Sequence, residues 1–216
     1  MRTIVYIDGY NLYYGAIRRT AYKWLDIFEL FNTHILLPDT ELLEVRYYTA
    51  PVLGALCDDS ESPKRQRQYH QALKKLYPKK IKIIQGKMIK KSTDLRLANP
   101  IQEAPDLKKV RVIKLTEKKT DVNIAADMVA NACLNDVDQI VLCSNDSDME
   151  GALKNIKLYC PNVRVGLVAP ISGRHISNDL KQYAHWVKVL SENSLACSQL
   201  PVKIPNTSIK KPMHWT

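Results

Sequence analysis

The sequence lacks the features that mark an extracellular or membrane protein. Only five of its 216 residues are cysteine: Cys57, Cys133, Cys143, Cys160 and Cys197. They are odd in number, scattered, and form no C-x-x-C pair, which argues against a disulfide framework and against a structural zinc site. Cys133, Cys143 and Cys160 lie in apolar or helical surroundings and read as buried thiols. No apolar run approaches the length that spans a bilayer. The N-terminal run Ile4-Val5-Tyr6-Ile7 meets Asp8 too soon for a signal-peptide core. We therefore read it as a strand and the protein as cytoplasmic. The five histidines (His34, His70, His175, His185 and His214) are dispersed, with no pairing that suggests an acid–base couple. Internal repeats are also missing. What remains, 45% hydrophobic and 25% charged, is the balance of an ordinary globular domain.

The charge is unevenly placed. Net charge is +10, and residues 64–119 hold 18 Lys or Arg against 4 Asp or Glu. The rest of the chain is slightly acidic, so one segment carries all the positive excess. A field so concentrated favours a polyanion, most simply nucleic acid, although a solvated basic face is the plainer alternative. A membrane surface fits less well, because no strongly apolar face backs the basic residues.

Strand and helix patterns alternate along the chain. Thr3–Ile7, Leu43–Ala50, Ile81–Ile89, Val110–Leu115, Gln139–Cys143, Val163–Ala169 and Trp186–Leu190 read as strands. Gly86 marks a bulge or bend within the third of these. Helices are expected over Tyr10–Ile17, Asp26–Phe31, Ser62–Tyr77, Thr120–Leu134, Ser147–Leu158 and Asn178–Ala184. Ser92–Asp106, with Pro100 and Pro105, reads as an exposed loop. Helices of this length between strands imply right-handed crossovers, a mainly parallel sheet and an α/β fold. The domain is expected over residues 1–190. Residues 191–216, with Pro201, Pro205 and Pro212 among lysines, read as an extended basic tail.

Acids stand where such a sheet binds ligands, beyond the carboxyl ends of its strands. Asp8 follows Ile4–Ile7, Asp146 and Asp148 follow Ile140–Cys143, and Asp121 lies in the first turn of the helix after Val110–Leu115. Carboxylates gathered at one rim repel one another, and a divalent cation removes that penalty. Oxygen donors without a His or Cys cluster suit Mg²⁺ or Mn²⁺. Mg²⁺ held in this way serves phosphodiester hydrolysis. Each acid also has a plainer role. Asp8-Gly9 suits a turn, Asp121 complements a helix dipole, and Asp146 suits a helix cap. Asn11 stands three residues after Asp8, placed to hold its carboxylate or a phosphate. Lys118 and Lys119 stand beside Asp121, within reach of a phosphate. Asp127 and Glu150 read as acids that point elsewhere. Arg174-His175 reads as a solvated loop, with contact to substrate as the alternative.

Three runs then match a known pattern. Tyr6-Ile7-Asp8-Gly9-Tyr10-Asn11-Leu12 resembles the opening signature of the NYN domain, a branch of the PIN-like nucleases. Glu117-Lys118-Lys119-Thr120-Asp121-Val122 with Ala125-Ala126-Asp127-Met128 resembles its second motif. Ser144-Asn145-Asp146-Ser147-Asp148-Met149 resembles its third. The order and spacing fit over about residues 2–190, and the LabA-like group is the branch most resembled. The resemblance implies a three-layer α/β/α sandwich, a Mg²⁺ site and RNA as substrate. It carries Asp8, Asn11, Asp121, Asp146 and Asp148 into the site. Asn145 stands where the third motif usually has Gly, and Lys119-Thr120 replaces a common Gly-Val.

The resulting expectation is a metal-dependent ribonuclease acting on single-stranded RNA. Asp8, Asp146 and Asp148 would hold the metal and Asp121 would complete the catalytic set. Asn11, Lys118, Lys119, Ser144 and Asn145 would contact substrate. The rivals are a non-catalytic RNA-binding module on the same fold and a small-substrate phosphoesterase. A protein partner or a homo-oligomer is left open.

Overall fold

The computed structural model describes residues 1–54, 59–134, 137–170 and 175–215. Cys57, Gly173 and Arg174 lie outside the described residues.

The centre of the molecule is a six-stranded sheet, and every pairing in it is parallel. Its strands are β1 (Arg2–Asp8), β2 (Glu41–Thr49), β3 (Ile81–Gln85), β6 (Gln139–Cys143), β7 (Arg164–Ala169) and β8 (Trp186–Val189). Their spatial order is β3-β2-β1-β6-β7-β8. The chain therefore builds outward from β1 in one direction, then returns to build from β1 in the other. The reversal lies between β1 and β6, and a crevice opens at the strand ends on such a boundary.

Both faces of the sheet are covered, as parallel sheets require. Along β1, Val5 and Ile7 join the core on one face while Ile4 and Tyr6 join the core on the other. β6 repeats this, with Val141 and Cys143 opposed to Ile140 and Leu142. Helices α4 (Thr120–Cys133) and α5 (Glu150–Tyr159) cover the Tyr6 face. Ile124, Met128 and Ala132 of α4 point inward at helical spacing. Helix α3 (Ser62–Leu76), which carries Pro63 in its first turn, covers the other face with Tyr69, Ala72 and Leu73. The expected three-layer α/β/α sandwich with a parallel sheet is thus what the structure has. Among the described residues, no helix is long and apolar enough to cross a membrane.

Several local expectations change. The strand read over Ile81–Ile89 divides at Gly86. Its second part becomes β4 (Lys87–Arg96), which pairs antiparallel with β5 (Lys109–Lys118) as a separate two-stranded ribbon. Part of the expected loop after Ser92 is therefore strand, and Val110–Leu115 lies outside the main sheet. A Cβ at Gly86 would stand 2.3 Å from the Thr120 hydroxyl and 2.8 Å from the Lys118 carbonyl oxygen. Glycine lets the root of the ribbon close against the start of α4. Cys143 and Cys160 are buried, but Cys133 is exposed at the end of α4, its sulfur 3.3 Å from that of Cys160.

The segment after residue 190 also folds. It forms α7 (Glu192–Cys197), and Leu195, Leu200 and Ile204 join the core on the α3 face. The Trp24 indole donates to the Pro201 carbonyl at 3.0 Å, and Leu200 N donates to the Trp24 carbonyl at 2.9 Å. Trp215 packs with Trp24 and Tyr69. Pro201, Pro205 and Pro212 all follow α7, and Leu195 and Leu200 before them and Ile204 among them fill the α3 face of the sheet. Leu200→Ala and Ile204→Ala should each cost about 2–5 kcal/mol of stability, read from urea midpoints. Unchanged midpoints would mean that the segment does not hold the core.

Candidate metal and substrate site

The site begins with the register of two neighbouring strands. Ile7 of β1 stands opposite Cys143 of β6, so Asp8 and Ser144 leave the sheet side by side. Asp8 is 2% exposed and caps the short helix α1 (Gly9–Leu12). Asn11 holds it twice. The Asn11 backbone N–H donates to Oδ1 at 3.0 Å and its side-chain amide donates to Oδ2 at 2.7 Å. The Ser144 hydroxyl donates to Oδ2 at 3.1 Å. The turn expected of Asp8-Gly9 and the functional role are therefore compatible, because the cap fixes the carboxylate in place.

Asp146 follows by a second chain of contacts. Its N–H donates to the Ser144 hydroxyl oxygen at 3.1 Å, and its Oδ1 accepts from Asp148 N at 3.1 Å. It caps the short 3-10 turn Ser147–Met149. Asn145 locks the loop from both sides. Its N–H donates to Asn11 Oδ1 at 3.3 Å, its amide donates to the His175 carbonyl at 3.3 Å, and its Oδ1 accepts from Ser177 N at 2.8 Å. A glycine at this position would offer none of the side-chain links, so Asn145 ties the loop after β6 to the loop after β7.

Asp121 arrives from the start of α4. One carboxylate oxygen each from Asp8, Asp121 and Asp146 lie within 4.8 Å of one another. These acids line a cleft of about 440 Å³ with Tyr10, Asn11, Tyr14, Glu117 and Asn145. Burial pushes the Asp8 carboxyl above its ordinary value, the bonds from Asn11 and Ser144 pull it back, and the Asp146 charge raises it again. Asp121 is also raised, first by burial and then by the charges of Asp8, Asp146 and Asp148. Asp8 is buried, Asp146 half-buried and Asp121 exposed; the three are hard oxygen donors that repel one another, and that set fits a divalent cation such as Mg²⁺ or Mn²⁺.

The structure sorts the expected residues. Asp8, Asp121, Asp146 and Asn11 come together. Asp148 is exposed and stands outside the three-acid cluster, acting on Asp121 through its charge. Ser144 is fully buried and positions Asp8 from within the protein. Lys118 and Lys119 are exposed at the root of the ribbon and are not among the residues lining the cleft. Asp127 points away, as expected, and accepts from the Tyr48 hydroxyl at 2.6 Å. Glu150 accepts from Tyr183 at 3.3 Å. His185 is structural, its Nδ1 accepting from Val165 N at 2.9 Å.

Glu117 is the residue that sequence reasoning passed over. It is half-buried on the cleft wall and accepts a hydrogen bond from the Thr120 hydroxyl. Burial raises its proton affinity, the Thr120 bond opposes this, and the charges of Asp8 and Asp121 add to it. Its available signal was position: an acid at a strand end, four residues before Asp121.

The family model described as "NYN domain" matches residues 2–190. The chain belongs to the NYN domain family. That family is part of the PIN-like superfamily, so a nuclease-like function goes with the fold. The NYN chain is also 35% identical over 238 residues to a Pseudomonas putida protein named 6-hydroxy-3-succinoylpyridine 3-monooxygenase HspA. That match covers 100% of this chain and 75% of the relative. A crystal structure of a protein of unknown function from Vibrio parahaemolyticus has the same fold, with a TM-score of 0.53 and 21% identity. It covers 89% of this chain and 94% of that one.

The site's repulsion gives a test that needs no substrate. Asp8 and Asp121 hold protons more tightly folded than unfolded. Their contribution to metal-free stability is therefore present at low pH and lost as pH rises through their raised folded values. Asp121→Asn should raise the melting temperature of the metal-free protein at pH 7. Saturating Mn²⁺ should stabilise the wild type by about 2.7 kcal/mol at a hundredfold excess over Kd. The same Mn²⁺ should leave Asp121→Asn and Asp146→Asn unmoved in a thermal-shift measurement. Equal shifts in all three would place the metal elsewhere.

Proposed function

We propose that this chain is a divalent-metal-dependent ribonuclease of the cytoplasm that hydrolyses single-stranded RNA. The observation that carries the reading is the convergence of Asp8, Asp121 and Asp146 within 4.8 Å at the reversal of strand order. Within the family we group it with the LabA-like branch, on the wording of its three motifs.

Asp8, Asp121 and Asp146 would hold Mg²⁺, or Mn²⁺ in its place. When bound, such an ion lowers the pKa of water and offsets charge on a phosphodiester. The chain's own groups do the rest. Asn11 and Ser144 keep Asp8 in one orientation. Glu117, with its raised proton affinity, stands beside the cluster as acceptor of the proton from the attacking water. Asn145 fixes the loop that presents Asp146.

The ribbon supplies the second part of the reading. Three of its cross-strand pairs set like charges opposite one another: Lys87 with Lys118, Lys91 with Lys114, and Arg96 with Lys109. All six residues are exposed. Such pairs destabilise a ribbon on their own. A phosphate backbone lying along it relieves them. Affinity for single-stranded RNA should fall with salt, each phosphate contact adding about −0.7 to the slope of log K against log salt. The double variant Lys91→Ala with Lys114→Ala should flatten that slope by about 1.4. An unchanged slope would remove the ribbon from the interface.

Cleavage of a labelled single-stranded RNA should require Mg²⁺ and stop in EDTA. Asp8→Asn and Asp146→Asn should each lower the rate by at least the roughly 100-fold that losing a supporting group costs a metal site. Salt-sensitive binding with no turnover in any form would favour the non-catalytic module.

The 35% identity to a protein named as a monooxygenase favours a second reading, hydroxylation of a heteroaromatic ring in the same cleft. It would show as a hydroxylated product from a hydroxypyridine, dioxygen and a two-electron reductant, with no RNA cleaved.

A further inference from the structure

The acids and the ribbon account for a phosphate backbone, but not for the aromatic wall of the cleft. Just after Asp8, on either side of Asn11, the chain presents Tyr10, Tyr13 and Tyr14. Helix α1 continues into a π-helical turn over Tyr13–Ile17, closed by Arg18 N donating to the Tyr13 carbonyl at 2.7 Å. Wide turns of this kind are uncommon and are enriched at functional sites. The core requirement of the stretch is met by Leu12 and Ile17, which are buried. The tyrosines take the other side. Tyr14 is 54% exposed and Tyr13 is 39% exposed, while Tyr10 and Tyr14 line the same cleft as the acids.

These rings are organised rather than scattered. The centroids of Tyr10 and Tyr14 are 5.5 Å apart, and Tyr13 meets Tyr14 edge-on at 5.2 Å. The Arg18 guanidinium lies 5.3 Å from the Tyr14 centroid. A ring so held has few orientations left to lose when a ligand docks on it. Tyrosines and an arginine beside an acid cluster suited to a cation form a combination that can receive unstacked bases: the π-face takes any base and the arginine takes its phosphate. A base within a duplex is already stacked and does not offer its face.

We propose that Tyr14, supported by Tyr10, Tyr13 and Arg18, is a base-stacking subsite that selects single-stranded nucleic acid and sets its register on the acid cluster. The subsite rests on the ribonuclease reading for the strand's passage across the acids, but base stacking itself requires no cleavage. A base seated on Tyr14 brings an adjoining phosphodiester toward Asp8, Asp121 and Asp146, which share its cleft. Specificity for unpaired strands then resides in this wall, and general attraction to polyanions resides in the ribbon.

The test compares two polyanions, one with bases and one without. Binding of a fluorescent oligoadenylate and of inorganic polyphosphate is measured in EDTA on the full chain, with the Asp146→Asn background as a check that no strand is cut. Tyr14→Ala should weaken oligoadenylate about 10-fold, the scale of one base stack, and leave polyphosphate unchanged. Tyr14→Phe, which keeps the ring, should restore oligoadenylate binding. Equal loss for both probes, or no loss for either, overturns the proposal. Cleavage is read separately with Mg²⁺ present. If the wild type does not cut RNA but the Tyr14 pattern holds, the ribonuclease reading fails and the subsite stands. If RNA is cut and Tyr14→Ala shows no base-dependent loss, the subsite falls and the ribonuclease reading stands.

Discussion

A buried carboxylate at the end of β1 governs the arrangement around it. Asp8 has almost no contact with solvent, and burying an ionised group is costly unless it is bonded. Three donated hydrogen bonds meet part of that cost, two from Asn11 and one from Ser144. Each has a structural precondition. Asn11 is in position because Asp8 caps α1, and Ser144 is in position because β6 pairs with β1 in parallel register. Asp146 and Asp121 then add charge where charge is already expensive. The three acids stay close because the sheet and α4 fix their backbones. A divalent cation held among the three would turn this repulsion into affinity.

The rest of the molecule divides into support and reach. Two apolar layers hold the sheet, one under α4 and α5 and the other under α3 and the segment after residue 190. The β4–β5 ribbon stands apart from both layers and carries the basic surface. Its root is pinned where Gly86 meets Thr120, next to the helix that presents Asp121. The ribbon thus serves two purposes: it delivers Glu117 to the cleft wall and extends a row of cations away from it.

Much of this was legible in the sequence, for local reasons. β1 and β6 are apolar runs buried on both faces and ended by an acid, so strand, direction and site residue came from a few consecutive residues. Helix α4 showed its stripe through Ile124, Met128 and Ala132. The ribbon was harder, because both its faces meet solvent. Val110–Leu115 alternates and read as strand, whereas Lys87–Arg96 has no such alternation and read as strand and then loop. The C-terminal segment was read as extended because Leu195, Leu200 and Ile204 are separated by prolines and polar residues without a period. At the site, Asp148 is exposed and stands outside the three-acid cluster, whereas Glu117 reaches the cleft wall through a ribbon that the sequence did not reveal.

Everything at the site turns on whether Asp8, Asp121 and Asp146 together hold a divalent cation. A crystal soaked in Mn²⁺, with diffraction collected at the manganese edge, tests this without reference to any substrate. One anomalous peak is expected among the three carboxylates, at coordination distance from each directly or through an ordered water. A cluster without a peak in a crystal that binds Mn²⁺ elsewhere would contradict it, and the three acids would then be a capped and hydrogen-bonded structural group.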